Sequence, residues 1–317
     1  MPSNLITNIS AAVGAGASID VRPPVGQEWL VTDFFSDALF VTDVPDLQVS
    51  LYDGASACIS LRDPTLDPGK RTRQYQFYLT RDNYLRITNT AGVGANVGFT
   101  GERVRAGLTV ADKVTIGAGA AVDIQPPVGQ TWKLTEFGAV AWTVPASDIN
   151  PNVEIGLTDG TLIASRIVLP TMVRGQDKQP EIYINNTVYL HVFSTPGTDF
   201  AYCGRRVPET CISSVVDVVG SATLDIRPTA GQEWVITEIA AETWNGAGAP
   251  NDYPDIQVSL IVGADLSNIM EPGSVATSLR WNSDCRIKID HDHWIRITEI
   301  SGGNNEVGVS GYIQREY

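Results

Sequence analysis

Cysteine and histidine are scarce, four and three residues among 317, and no C-x-x-C spacing occurs. Cys58, Cys203, Cys211 and Cys285 therefore read as free thiols and not as a disulfide framework. Cys203 and Cys211, eight residues apart, are the one pair to consider as a bridge. His291 and His293 flank Asp292, and on a strand that spacing puts both imidazoles on one face. A third zinc ligand is not evident, so a solvated turn is the simpler reading. Basic residues are in deficit: 22 Lys and Arg against 36 Asp and Glu leave a net charge of −14. That balance excludes a basic stripe for nucleic acid and predicts a soluble, self-repelling molecule. No run approaches the ~18 apolar residues of a membrane span. The start, Met1 to Leu5, lacks the basic and apolar regions of a secretory signal. No sustained 3.6-residue apolar period appears, so helices are expected to be few.

What is present is a threefold internal repeat. Asp20-Val21-Arg22-Pro23-Pro24-Val25-Gly26-Gln27-Glu28-Trp29 returns from Asp123 to Trp132 as Asp-Ile-Gln-Pro-Pro-Val-Gly-Gln-Thr-Trp. It returns again from Asp225 to Trp234 as Asp-Ile-Arg-Pro-Thr-Ala-Gly-Gln-Glu-Trp. The blocks starting at Pro45, Pro151 and Pro254, and those starting at Tyr84, Tyr189 and Trp294, keep the same order. Fixed-period self-similarity marks a repeated structural unit. Each landmark reads as β-structure. Leu47, Val49 and Leu51 alternate with Gln48 and Ser50, as Ile256, Val258 and Leu260 do with Gln257 and Ser259, the period of a strand with one buried face. The Pro-Pro-x-Gly blocks end one strand and turn into the next, glycine supplying positive φ. Seven or eight short strands per copy predict an all-β chain of three tandem β-sandwich (jelly-roll-like) domains, over 1–105, 106–209 and 210–317. Short linkers predict copies packed against one another.

No repeated position looks catalytic. Asp20, Asp123 and Asp225 read as carboxylates accepting backbone N–H groups at the turn, because a glycosidase would need a second carboxylate at a set distance. Trp29, Trp132 and Trp234, with Tyr84, Tyr189 and Trp294, begin apolar strands and read as core more readily than as a sugar platform. His191 stands where the sister copies have Arg86 and Arg296, so it reads as an exposed strand position and not a base. The glycines of Gly14-Ala15-Gly16 and Gly117-Ala118-Gly119 read as loops. No nucleophile elbow, P-loop, H-E-x-x-H or calcium-loop spacing occurs, and no enzyme activity, cofactor or metal is expected. What differs among copies is charge and loop content. Net charge is −2, −3 and −9 over the three spans, and the first holds a basic cluster of Arg62, Lys70, Arg71, Arg73, Arg81 and Arg86. Arg62, Lys70, Arg71 and Arg73 are candidate contacts to an acidic partner. Trp244 and Tyr253 bracket a small, polar loop of the kind that carries recognition.

At the repeated Asp-[Ile/Val]-[Arg/Gln]-Pro-Pro-x-Gly-Gln-x-Trp block the chain resembles structural proteins of tailed-phage virions, in particular small β-sandwich modules that decorate capsids or form fibres. The resemblance implies a β-rich virion protein without a signal peptide or catalysis, binding the major capsid protein or another virion protein. A trimerising stem and a coiled coil are missing, which disfavours the fibre version. Three linked copies are expected to mimic a decoration trimer as a pseudo-threefold monomer. The alternative is a receptor- or glycan-binding virion module.

Overall fold

A computed structural model describes residues 5–38, 47–63, 75–89, 94–139, 153–168, 181–194, 197–219, 222–244, 256–263, 265–270, 280–299 and 304–316. No helix occurs among the described residues, and the strands pair antiparallel in several separate sheets. The first segment holds β1 (Leu5–Val13), β2 (Ser18–Val21), β3 (Glu28–Ala38), β4 (Leu47–Tyr52), β5 (Ala57–Asp63), β6 (Phe77–Leu79), β7 (Tyr84–Asn89) and β8 (Ala95–Val104). The middle segment holds β9 (Thr109–Ile116), β10 (Ala120–Ile124), β11 (Thr131–Ala139), β12 (Val153–Thr158), β13 (Ile163–Val168), β14 (Ile182–Ile184), β15 (Tyr189–Ser194) and β16 (Thr198–Val207). The last holds β17 (Ser214–Val219), β18 (Thr223–Ile226), β19 (Gln232–Trp244), β20 (Ile256–Val262), β21 (Asp265–Met270), β22 (Arg280–Ile289), β23 (His293–Glu299) and β24 (Asn304–Glu316).

The sheets of the first segment run β1-β8-β3-β6 and β2-β7-β4-β5. Those of the last run β17-β24-β19-β22 and β18-β23-β20-β21. In the middle, β10-β15-β12-β13 forms one sheet, while β9-β16-β11, with β14 on β11, joins the first segment's β5 into an eight-stranded sheet. The join is a single residue pair, Ala139 opposite Ile59. The sheets pack over three hydrophobic cores, and Ala201 and Cys203 of the middle segment join the first of them. Val31, Phe77 and Leu85 lie in the first core, Leu134, Ile155 and Phe200 in the second, and Ile236, Val258 and Ile295 in the third.

The turn before each tryptophan explains why its block recurs. Gln27, Gln130 and Gln232 donate their backbone N–H to the carbonyls of Pro24, Pro127 and Thr229 at 3.0–3.1 Å. Gly26, Gly129 and Gly231 hold φ of 76°, 79° and 87° at the third turn position, the geometry of a type II turn. The same glutamines accept the indole N–H of Trp29, Trp132 and Trp234 at 3.2, 3.0 and 2.9 Å. Each indole packs half-buried against its core with its one polar atom satisfied.

The aspartate before the turn does something other than the sequence predicts. Asp20 and Asp225 receive two-pronged contacts from Arg86 and Arg296 across the strand pair, at 2.6–3.0 Å, and Asp123 meets His191 Nδ1 at 2.7 Å. Strand register is the reason: Asp20, Asp123 and Asp225 lie directly opposite Arg86, His191 and Arg296. His191 is accordingly half-buried and paired, not an open strand position. The alternation in β4 and β20 also differs, because Ser50 and Ser259 are buried alongside the apolar residues. Ser50 accepts from the Gln48 side-chain amide at 3.3 Å and sits opposite Arg86, whose guanidinium lies 3.7 Å over the Tyr52 ring. Long neighbours roof the short side chain. Replacing His191 by arginine is expected to install the two-pronged contact of its sister positions. Urea unfolding is predicted to show a gain of about 0.5 kcal/mol, since the pair is partly exposed.

Candidate functional site

The structure locates the candidate surface residues unevenly. Lys70, Arg71, Arg73 and Tyr253 lie outside the described residues. Arg62 is placed on β5 opposite Gln48, and Trp244 ends β19 opposite Asn304; only these backbone positions are described. Of the basic cluster, Arg86 is matched by Asp20, and the Arg81 carbonyl accepts from Arg22 Nε at 2.6 Å. Tyr84 and Trp294 do not present open stacking faces. Arg22 lies 4.6 Å over the Tyr84 ring and Arg227 lies 4.2 Å over Trp294. His291 sits in an exposed turn, and His293 opens β23 with Nδ1 2.8 Å from Asp290. Among the described residues no group of three or more His, Cys, Asp or Glu could hold a metal. Cys58, Cys203 and Cys211 are free thiols, so the bridge between the last two is not made. Of Cys285 only the backbone position on β22 is described. Burial pushes the Cys58 thiol up to about 12, which keeps it protonated and unreactive.

Side chains of consecutive segments meet at two junctions, and the two are built alike. At the first junction the Thr135 hydroxyl donates to the Gln76 carbonyl at 2.6 Å, beside the Cys203 thiol at 4.0 Å. At the second the Thr237 hydroxyl donates to the Glu181 carbonyl at 2.7 Å. There the Ser310 hydroxyl accepts from the Tyr183 N–H at 2.7 Å and donates to its carbonyl at 3.0 Å. Gln76 and Glu181 each directly precede the short strands β6 and β14, and Thr135 and Thr237 each follow their tryptophan by three residues. One contact is therefore made twice: the short strand of one segment docks on the outer face of the next segment's tryptophan strand and its neighbour.

A β-bulge aims that threonine. Pairing of β11 with β16 shifts register between Leu134 and Glu136, and pairing of β19 with β24 shifts between Ile236 and Glu238. Thr135 and Thr237 are the extra residues, and a bulge re-aims its side chain away from the ordinary pleat. Glycine on the facing strand makes the approach possible. A Cβ on Gly204 would lie 2.1 Å from the Lys133 carbonyl, and one on Gly311 would lie 2.2 Å from the Val235 carbonyl. Both threonines are 0% exposed.

Charge is built into each junction. At the second, Lys133 Nζ donates to Glu181 Oε1 at 2.7 Å and Arg286 Nη2 to Glu181 Oε2 at 2.6 Å. Burial favours the neutral amine and lowers the Lys133 pKa, although Glu181 opposes this. Burial would raise the Glu181 pKa, but Lys133 and Arg286 together hold it below its ordinary value. At the first junction, Lys113 Nζ reaches Asp53 at 2.6 Å and the Ser56 hydroxyl at 2.6 Å, and Ser56 donates to Asp199 at 2.9 Å.

Asp53 provides an acid test of the first junction. Burial alone would raise its pKa; the Lys113 hydrogen bond and the Ser56 and Ala55 N–H groups overcome this and hold it at about 2. A depressed folded pKa contributes stability that is present above the ordinary value of 3.8 and lost as pH falls through about 2. The stability of wild type and Lys113→Met is expected to differ at neutral pH and to converge across that window, read from denaturant midpoints.

The junction residues were only faintly signalled in the sequence. Trp29, Trp132 and Trp234 are each followed at the third position by threonine, a recurrence that points to a shared contact without naming its partner. A scan of family models and a search of curated proteins each return no match to this chain.

Proposed function

We propose that the chain is a triplicated jelly-roll protein that serves, without catalysis, as a structural component of a tailed-phage virion, decorating the outer surface of an assembled head through the major capsid protein. The observation that carries the reading is the strand order. Numbering strands within each segment, the order 1-8-3-6 and 2-7-4-5 recurs, which supports a jelly-roll reading. The repeated Asp, Trp and Arg positions are occupied by structural pairs, so the recurring residues maintain the scaffold and leave the outer surfaces to differ. Junctions bonded across both boundaries would present three such surfaces together, which suits multivalent contact with a repeating lattice. Binding to the assembled shell and not to its free subunits would stabilise the shell by mass action.

The test is binding of the purified chain to undecorated heads, read by co-sedimentation. Saturable pelleting with heads, with none on free capsid subunits, supports the reading. Pelleting with tails alone, or with neither, overturns it.

A further inference from the structure

The junction contact has two halves, and the chain carries three copies of each but, among the described residues, joins only two. The donor half is the short strand. Tyr78 and Tyr183 point away from their own cores and are buried by the next segment. The equivalent residue of the last segment is Lys288, which lies between Ile287 and Ile289 of the third core as Tyr183 lies between Ile182 and Ile184. Lys288 is exposed, as is Arg286, the counterpart of Gln76 and Glu181, although Arg286 also reaches Glu181 across the second junction. The receiving half is the bulged threonine and the strand beside it. Thr135 and Thr237 are fully covered, whereas Thr32, the bulge residue of the first segment, is only half-buried. Its hydroxyl donates at 2.8 Å to the neighbouring Asp33 carboxylate, where its sisters donate to a carbonyl of the preceding segment.

The two uncovered halves match in charge. At the second junction Tyr183 packs against Tyr312, the rings tilted at 35° with centroids 4.9 Å apart. Tyr312 lies two residues after Ser310, as Glu102 lies two after Thr100. The position that would face Glu102 is therefore Lys288. Both Lys288 and Glu102 are exposed.

We infer that the last segment of one chain docks on the first segment of a second copy, repeating the internal junction between chains with Lys288 set against Glu102. Such a contact is head-to-tail, so chains add in one direction and form strings, or rings where the rotation closes. The inference uses the junction geometry and not the virion reading, and it is tested without a virion.

Sedimentation of the full chain over a concentration series is expected to show reversible growth in mass. Lys288→Glu and Glu102→Lys each set like charges against one another and are expected to weaken association by at least about tenfold. When the two variants are mixed, the last segment of the first variant presents its new glutamate to the new lysine of the second. The reverse contact keeps the native Lys288 against the native Glu102, so association should return in both directions. Restoration on mixing is a readout that mere misfolding of either variant does not give, and unchanged melting of each variant alone accompanies it. A wild-type monomer at every concentration overturns the inference, including the case in which the last segment closes on the first within one chain. Association that neither charge reversal weakens overturns it as well.

Discussion

Replacing Glu181 with leucine is expected to lower the stability of the native chain by about 3–5 kcal/mol, because it leaves the Lys133 ammonium buried without its counter-charge. The Lys133 and Glu181 side chains are only 7% and 10% exposed. Arg286 can turn to solvent when its partner is lost, since its side chain is 63% exposed, but Lys133 is enclosed. The double variant Lys133→Met with Glu181→Leu should recover most of the loss, because removing both charges also removes both desolvation costs. Denaturant unfolding of the four proteins in the cycle reads both effects. A single variant as stable as wild type would show that the pair is solvated and the junction open.

The second large effect concerns backbone. Gly204→Ala is expected to cost about 3 kcal/mol, since the new methyl would meet the Lys133 carbonyl 2.1 Å away and the bulge that aims Thr135 would have to shift. Both the middle core and the first junction depend on that bulge. Alanine at Gly107 is the comparison: φ there is 83°, but nothing lies within 4 Å of the added carbon. Its cost is therefore backbone strain alone, about 1 kcal/mol. Equal effects of the two substitutions in urea unfolding would contradict the close approach at Gly204.

The strands were legible because one chemistry recurs at them. The Pro-x-Gly turn, the tryptophan and the alternating Val49 and Leu51 each state their local conformation without a distant partner. The Asp20–Arg86 pair was present in the sequence only as two separate recurrences, since the register that sets them opposite is a property of the folded sheet. The junction was hidden for a stronger reason. Thr135 meets Gln76, 59 residues away, through a bulge that shifts register, and no period-2 pattern reports a bulge. Glu181 is preceded by residues that offer no recurring signal, and its counterparts are Gln76 and Arg286, so no shared residue type marks the position. Tyr78, Tyr183 and Lys288 show the same freedom on the outward face, while their inward neighbours stay apolar.

Thiol labelling of dilute native protein tests the repeated junction most directly. Cys203 and Ser310 occupy covered positions at the two junctions, and Thr100 is their uncovered counterpart on the first segment. Site-resolved maleimide labelling is predicted to modify Thr100→Cys rapidly, while Cys203 and Ser310→Cys react only as fast as the segments part. Equal labelling rates at the three positions would contradict a contact made twice and left open once.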